Sequence, residues 1–157
     1  MGILSRVDYL RVADRSWPLL RRIMAAHTAV YRASGGRLGS RLPVPGLPPM
    51  LLLDHVGAKS GTRRTSPLVY MPDGDAFVLF AAKGGHPRHP AWVHNLRAHP
   101  ETRIQVGTRR LRVRAHEARG QERARLWPRA AAYNRYWAQY QRRTSREIPL
   151  VILEPTG

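Results

Sequence analysis

The hydrophobic pattern divides the chain near residue 50. Apolar residues recur at helical spacing through residues 1–33, for example at Leu19, Ile23 and Val30. Pro18 is expected to separate two helices here, because proline has no N–H donor and restricts the residue before it. Residues 34–49 are rich in Gly and Pro, which predicts a connecting loop. We therefore predict an N-terminal helical segment and linker over residues 1–49.

The remaining residues, 50–157, carry short apolar runs bounded by turn residues, a pattern typical of β-strands. The predicted strands cover 50–56, 65–71, 76–82, 102–106, 111–117 and 148–153, with turns at 72–75 and 107–108. A short helix is predicted over 90–98, and a longer one over 121–143 that is interrupted or restarted at Pro128. The last strand is almost continuously apolar, which predicts a central, buried position. Six strands, mostly joined by hairpins, predict an α+β, mainly β domain built on a small antiparallel barrel.

Composition limits the classes of function. The 157 residues include 27 basic and 10 acidic side chains, for a formal charge of +17. Such a charge attracts nucleic acid, an anionic membrane or a highly charged small ligand, and by itself does not choose among them. The absence of cysteine excludes disulfides and thiolate metal sites. No apolar run has membrane-spanning or signal-peptide character, so we expect a cytoplasmic protein.

The N-terminal helices combine an apolar side with several arginines, among them Arg15, Arg21 and Arg22. A basic amphipathic helix of this kind can lie on an anionic membrane surface. The alternative is a helix packed on its own domain, which is the favoured interpretation for the second helix. Peripheral contact with the inner face of the membrane is therefore an expectation for the first helix.

The lysines are concentrated at two turns. Only Lys59 and Lys83 are lysines, and each lies in a glycine-marked turn, at residues 57–61 and 81–85. Glycine allows backbone N–H groups to point at one acceptor, and the adjacent cation adds charge. Arg63 and Arg64 follow the first turn. The two turns are interpreted as a two-part anion site, although ordinary hairpin turns with solvated cations have the same pattern.

The segment after the second turn could contact a planar ligand. On the predicted helix over 90–98, Trp92, Asn95 and Leu96 share a face, so that Trp92 could cover a ring and Asn95 could bond a heterocycle edge. The alternative is that Trp92 and Leu96 belong to the core and that Asn95 is a surface amide. Four histidines lie in or near this segment without a recognised ligand spacing, and no metal site is predicted: His86, His89, His94 and His99.

A second aromatic cluster lies late in the chain. Tyr133, Trp137 and Tyr140 occur at i, i+4 and i+7, with Tyr136 beside them. Such a stripe is more often core than ligand wall. At a pocket mouth the same residues could stack on a planar substrate, and one hydroxyl could donate a proton. Aromatics among cations would also suit base stacking.

Several of these motifs together resemble the deazaflavin-dependent nitroreductase family of actinobacteria. They are Gly-Ala-Lys-Ser-Gly-Thr-Arg-Arg at 57–64, Pro-Leu at 67–68, Ala-Lys-Gly-Gly at 82–85, Pro-Ala-Trp-Val-His-Asn-Leu at 90–96, Ile-Pro-Leu-Val at 148–151 and Glu-Pro at 154–155. The resemblance covers roughly residues 50–155. It implies a split β-barrel and coenzyme F-420, a deazaflavin hydride carrier with a phosphate and an oligoglutamate tail. The implied reaction is hydride transfer from the reduced deazaflavin to a quinone, an enone or a nitroaromatic compound.

The resemblance also implies site residues. The phosphate and tail end would be held by Lys59, Ser60, Arg64, Thr65 and Ser66. The full coenzyme site is expected to comprise Ala58, Lys59, Ser60, Arg64, Thr65, Ser66, Phe80, Ala81, Ala82, Lys83, Ala91, Trp92, Val93, His94 and Asn95. The residues expected to contact the acceptor are Tyr136, Trp137 and Tyr140.

This chain departs from the nitroreducing members of that family. Ala82 stands where they carry serine, and Val69 stands where they carry tyrosine. Asn134 and Trp137 replace two of three tyrosines that face the substrate, and Tyr140 keeps the third. The coenzyme site is thus better supported than a nitro-compound site, and quinone or enone reduction stays open.

Two other functions agree with the same residues. One is a non-catalytic carrier that binds a deazaflavin, a flavin or a tetrapyrrole. The other is a basic nucleic-acid-binding protein, which predicts steep salt dependence and no preference for the deazaflavin ring. The expected partner is a small-molecule electron acceptor, no specific nucleic acid is expected, and the protein is expected to be a monomer or a homodimer.

Overall fold

The computed structural model describes residues 6–43 and 45–157, with side chains from residue 15 onward. Its elements are α1 (Arg6–Ala33), β1 (Met50–Val56), β2 (Arg63–Asp73), β3 (Ala76–Phe80), α2 (Ala91–Ala98), β4 (Glu101–Val106), β5 (Arg109–Glu117), α3 (Gly120–Tyr133), α4 (Arg135–Arg143) and β6 (Leu150–Pro155). The helical prediction for residues 1–5 and the loop prediction at Val44 lie outside the described residues.

The six strands form a closed antiparallel barrel in the order β1-β2-β3-β6-β5-β4. Both hairpins that the sequence predicted are present, between β2 and β3 and between β4 and β5. Strand β1 closes the barrel against β4 through the pair Leu53 and Ile104. The predicted fold class, an α+β, mainly β domain on a small antiparallel barrel with peripheral helices, is confirmed, and one N-terminal helix stands where two were predicted.

Two hydrophobic clusters occupy the two faces of the sheet. Alternate residues of β6 divide between them, with Val151 and Leu153 in one cluster and Leu150 and Ile152 in the other. The first cluster fills the barrel and includes Trp92 of α2. The second lies between the outer face and the helices α3 and α4. Because both of its faces are covered, β6 is buried as its apolar sequence predicted.

The helix boundaries differ from the prediction at both prolines. Helix α1 continues through Pro18, and helix α3 continues through Pro128. Both prolines are exposed, so water can bond the carbonyl that each leaves without an intrahelical donor. The late helix is instead divided at Asn134, whose side chain accepts a hydrogen bond of 3.0 Å from the backbone N–H of Tyr136 and caps α4.

Some strand ends also differ. Strand β2 runs two residues beyond the prediction at each end, so the predicted four-residue turn is reduced to Gly74 and Asp75. Gly74 has φ +59°, a conformation that glycine adopts without strain. Asp73, at the end of β2, accepts hydrogen bonds from Arg125 and Arg129 of α3. These two guanidinium groups lower the pKa of Asp73 to about 2 and fasten α3 to the hairpin.

The last turn of α1 is fastened to the barrel. The Tyr31 ring is fully buried, and its hydroxyl donates to the carbonyl of Met50 at 3.1 Å and accepts from the N–H of Gly107 at 2.8 Å. Arg32 forms an ion pair with Asp54 of β1. Residues 1–49 as a separate segment stay a prediction, and these contacts show how its helix meets the barrel. Within the described residues, no helix is long and apolar enough to cross a membrane.

The antiparallel order brings both lysine turns to one end of the barrel. Strand β1 ends where β2 begins, and β3 runs back toward that same end of the barrel, because neighbouring strands alternate in direction. Strand β6 begins at the same end, where Leu150 pairs with Phe80. Helix α2 joins β3 to β4 across this end, and its apolar residues enter the barrel core. We call this end the turn end.

Candidate functional site

The first turn, residues 57–61, is held closed by its own backbone. The N–H of Gly61 donates to the carbonyl of Gly57 at 2.8 Å, and the N–H of Gly57 donates to Thr62 at 2.8 Å. A Cβ at Gly57 would lie 2.3 Å from the Ser60 hydroxyl oxygen, so Ser60 could keep its present rotamer only beside a glycine. Lys59 is exposed at its tip. The turn presents a cation from a fixed backbone.

A buried chain of hydrogen bonds joins this turn to the barrel. The N–H of Ala58 donates to Asn95 Oδ1 at 2.9 Å, and Asn95 Nδ2 lies 2.8 Å from His55 Nδ1. His55 Nε2 lies 3.0 Å from the hydroxyl of Ser66. Asn95 is 6% exposed and His55 is 5% exposed. We call Ala58, Asn95, His55 and Ser66 the relay. It fixes the first turn, α2, β1 and β2 relative to one another.

A basic cavity lies beside the first turn, on β1, β2 and β4. Its volume is about 580 Å³. Its polar lining comprises three arginines, one carboxylate, one imidazole and two hydroxyl groups: Arg63, Arg64, Arg103, Asp54, His55, Thr65 and Thr102. Three guanidinium groups in one cavity favour a ligand with several negative charges, such as a phosphate joined to carboxylates. The hydroxyl of Thr65 is held by Asp54 at 2.7 Å.

The second turn, residues 81–85, has a strained backbone at Lys83. Lys83 has φ +49° and is the one residue other than glycine with a positive φ within the described part of the chain. A Cβ at Gly85 would lie 2.8 Å from the carbonyl oxygen of Tyr140, so α4 packs directly on the turn. The Lys83 ammonium lies 5.4 Å from the centre of the Trp17 ring of α1. Positive φ at a residue other than glycine is characteristic of functional sites.

Arg146 holds this second turn from the loop between α4 and β6. Its guanidinium donates to the carbonyls of Ala82 at 2.8 Å, Ala81 at 3.1 Å and His86 at 2.9 Å. It also lies 3.2 Å from Nδ1 of His89. Burial lowers the pKa of Arg146, and an arginine nevertheless stays protonated in a protein. One half-buried cation therefore satisfies three carbonyl groups around Lys83.

The late aromatic residues are not equivalent. Trp137 is 4% exposed, and its ring stacks on Phe80 with the ring centres 4.8 Å apart. Tyr136 is exposed and lies against the guanidinium of Arg135. Tyr140 is half-buried next to the second turn. Their roles toward an acceptor stay predictions, and of the three only the two tyrosines reach solvent.

Two of the histidines near α2, His89 and His94, have protein partners. His89 contacts Arg146, and the rings of His89 and His94 are 5.8 Å apart in an edge-to-face arrangement. Burial and the Arg146 charge lower the pKa of His89. No group of three His, Cys, Asp or Glu side chains that could hold a metal ion occurs among residues with described side chains.

The predicted coenzyme residues all lie at the turn end, with different exposure. Those with exposed side chains are Ala58, Lys59, Ser60, Arg64, Lys83, Ala91 and His94. Thr65, Ser66 and Phe80 are half-buried, and Ala81, Ala82, Trp92, Val93 and Asn95 are buried. The buried members would meet a ligand only through backbone or a ring edge. Their roles stay predictions.

Two residues of this region were not predicted from the sequence. His55 continues the inward-facing positions of Leu51 and Leu53, and a polar residue in that series was the available signal. Arg146 had no such signal, because it is one of many arginines in the chain.

Known proteins are similar to this chain in sequence and in fold. The sequence model of the family described as F420H(2)-dependent quinone reductase matches residues 23–155. A protein of Mycobacterium tuberculosis named F420H(2)-dependent quinone reductase is 46% identical over 136 residues, which cover 84% of this chain and 89% of the relative.

Solved structures agree with the sequence matches. One described as an F420-H2 Dependent Reductase (FDR-A) is 37% identical, has a TM-score of 0.61, and the match covers 67% of this chain and 93% of that one. Another, described as a domain-swapped dimer, is 31% identical, has a TM-score of 0.64, and covers 85% of this chain and 98% of that one. The predicted class, an oxidoreductase family that uses coenzyme F-420 on a split barrel, is confirmed. The chain belongs to the F420H(2)-dependent quinone reductase family.

Proposed function

We propose that this protein reduces a quinone or a related electron-poor acceptor with reduced coenzyme F-420. The observation that carries the proposal is the convergence of two glycine-marked lysine turns and an arginine-lined cavity at one end of the barrel. This donor set fits an anionic coenzyme, because arginine and lysine side chains form charge-assisted hydrogen bonds with phosphate and carboxylate groups. The family membership supports the same coenzyme and a quinone acceptor.

In this proposal the coenzyme supplies the hydride, and the chain supplies binding and orientation. Lys59, Ser60 and Arg64 would hold its phosphate and tail end, with Thr65 and Ser66. The second turn would line its ring through backbone that Arg146 fixes in place. Tyr140 is the proposed proton donor to the reduced acceptor, since it is the half-buried hydroxyl residue beside that turn.

Removing either turn lysine is expected to weaken coenzyme binding. Lys59→Ala and Lys83→Ala should each raise the Kd for oxidised coenzyme F-420 about 10- to 100-fold, because a charge-assisted hydrogen bond contributes about 1.5–3 kcal/mol. The matched control is Arg109→Ala, which removes one exposed positive charge at the β4–β5 hairpin. Fluorescence titrations with oxidised coenzyme F-420 and, separately, with FMN measure the effect.

Selectivity decides between the proposal and its alternatives. A Kd for the deazaflavin far below that for FMN, with turnover of a naphthoquinone, is the expected result. Selective binding without turnover would favour a carrier. Equal effects of Lys59→Ala and Arg109→Ala, with steep salt dependence for any polyanion, would contradict the coenzyme site and favour nucleic-acid binding.

We propose that the same protein contacts an anionic membrane peripherally through α1. The exposed side chains of Leu19, Ile23 and Val30 lie on one side of this helix, flanked by Arg15 and Arg22. The membrane is also where lipid-soluble quinones reside.

A solved structure described as a domain-swapped dimer supports a homodimer as the assembly.

Ile23→Asp is expected to reduce membrane binding, because it places a negative charge in the apolar stripe facing an anionic surface. Co-sedimentation with vesicles of phosphatidylglycerol and phosphatidylcholine should fall several-fold. Leu38→Asp is the control, since Leu38 is 61% exposed but lies outside α1. Equal losses in both variants would indicate a general charge effect and would overturn the α1 assignment.

A further inference from the structure

The relay defines the protonation state of His55. The backbone N–H of Ala58 can only donate, so the Asn95 oxygen faces Ala58 and the Asn95 NH₂ group faces His55 Nδ1. His55 Nδ1 must then accept. A neutral imidazole with an acceptor at Nδ1 carries its proton on Nε2, which donates to the hydroxyl of Ser66. The Ser66 hydroxyl proton stays available to a further acceptor.

A protonated His55 is incompatible with this arrangement. An imidazolium would place an N–H at Nδ1 opposite the Asn95 NH₂ group, with two donors facing each other. Rotating the Asn95 amide by half a turn would satisfy His55, but it would present NH₂ to the Ala58 N–H instead. Either outcome leaves buried donors without acceptors. Protonation of the ring therefore disturbs Asn95 and, through it, the first turn, whereas Nε2–H donates to Ser66 in both states.

The surroundings of His55 favour the neutral ring. Burial and the charge of Arg64 lower its pKa. Arg64 faces it from β2, and Arg63 and Arg103 line the adjacent cavity. Asp54 on its own strand acts in the opposite direction on the pKa of His55, and that carboxylate is paired with Arg32. Helix α2 presents the neutral amide of Asn95 to the ring.

We propose that His55 is a positioning residue for the coenzyme: the neutral ring holds the first turn against α2 and directs the Ser66 hydroxyl proton toward the anionic end of the bound coenzyme. The inference rests on the proposed function, because it assigns the acceptor of that proton to the coenzyme. It makes coenzyme affinity dependent on pH. Since protonation breaks the relay, affinity is retained above the His55 pKa and lost as the pH falls through it.

The test compares the pH dependence of the Kd for oxidised coenzyme F-420 among four proteins. When the pH is lowered from about 8 to about 5, the Kd should rise about 10-fold more for the wild type than for His55→Gln. His55→Gln offers an amide acceptor and donor that do not titrate, so it should bind nearly as the wild type does near pH 8. His55→Leu should bind about 10-fold more weakly at every pH, because Asn95 and Ser66 lose their partner.

Two controls separate the relay from other titrating groups. The protonation of the coenzyme phosphate changes with pH in the same way for every protein. Its effect therefore cancels when the Kd of each variant is divided by that of the wild type at the same pH. His116→Gln replaces a histidine of β5 that contacts Glu122 of α3, and it should keep the wild-type profile. Identical profiles of the wild type and His55→Gln, or unchanged binding by His55→Leu, would overturn the inference.

The relay can also be observed without coenzyme. Nitrogen-15 NMR of the imidazole should show a neutral ring protonated at Nε2, and a ring protonated at Nδ1 would overturn the relay itself. Absence of coenzyme binding by all four proteins, with the expected NMR spectrum, would contradict the proposed function and the role of Ser66 toward the coenzyme. Coenzyme binding with identical pH profiles would contradict only the inference.

Discussion

Replacing Trp137 with alanine is expected to lower the free energy of unfolding by about 3–5 kcal/mol, the range for a large aromatic removed from a core. The Trp137 ring is 4% exposed and stacks on Phe80, within the cluster that includes Leu126 and Leu150. Its loss would leave a cavity between the barrel and α4 that helix packing cannot close without moving the cap at Asn134. Urea unfolding followed by circular dichroism measures the change.

Two further variants test whether Trp137 acts in the core or at the acceptor. Tyr136→Ala, on the exposed side of the same helix, should change the free energy of unfolding by less than about 1 kcal/mol. Trp137→Phe keeps a ring against Phe80, and its main effect should be a smaller loss of stability. A changed KM for the quinone with unchanged stability in Trp137→Phe would instead place the indole at the acceptor.

Arg146→Ala is expected to weaken both the fold and coenzyme binding. The substitution removes the guanidinium donor from the carbonyls of Ala81, Ala82 and His86, of which Ala82 keeps the N–H of Gly85. We expect the free energy of unfolding to fall by about 2–3 kcal/mol, since the lost hydrogen bonds are made by a charged group. Because those carbonyls shape the second turn, the Kd for coenzyme F-420 should rise by about 10-fold or more.

A lysine at position 146 separates the effect of the positive charge from that of the guanidinium geometry. Arg146→Lys keeps the charge but replaces a planar fork of donors with one ammonium, so it should recover only part of the stability and binding. Arg142→Ala removes an exposed arginine from the last turn of α4 and should change the free energy of unfolding by less than about 0.5 kcal/mol. Full recovery by lysine would show that charge alone holds the turn.

Much of the fold could be predicted because its signals are local. The strand predicted over residues 111–117 is present as β5, in which exposed and buried residues alternate. Glycine at 74 and 107 marked the hairpin turns, where φ is positive. The predicted breaks at Pro18 and Pro128 were wrong, because solvent exposure decides whether a helix tolerates the missing donor. The true break, at Asn134, depends on a side-chain cap.

The candidate site could be predicted only in part. The lysine turns were visible because glycine and an isolated lysine stand out locally. The roles of His55 and Arg146 were not, since each contacts residues 40 to 65 positions away in the chain. The sequence suggested that the Asn95 amide could bond the edge of a ligand ring. In the structure, this amide accepts a hydrogen bond from Ala58 and contacts His55.

Residue types and their spacing along the chain were enough to establish the order of strands and turns, the basic charge and the family. Closure of the barrel decided the rest. It brought the two lysine turns to one end, placed Trp137 in the core while leaving Tyr136 exposed, and brought Asn95 to His55. Those outcomes depend on which distant residues meet, and long-range contacts between strands and helices are set by packing of the whole domain.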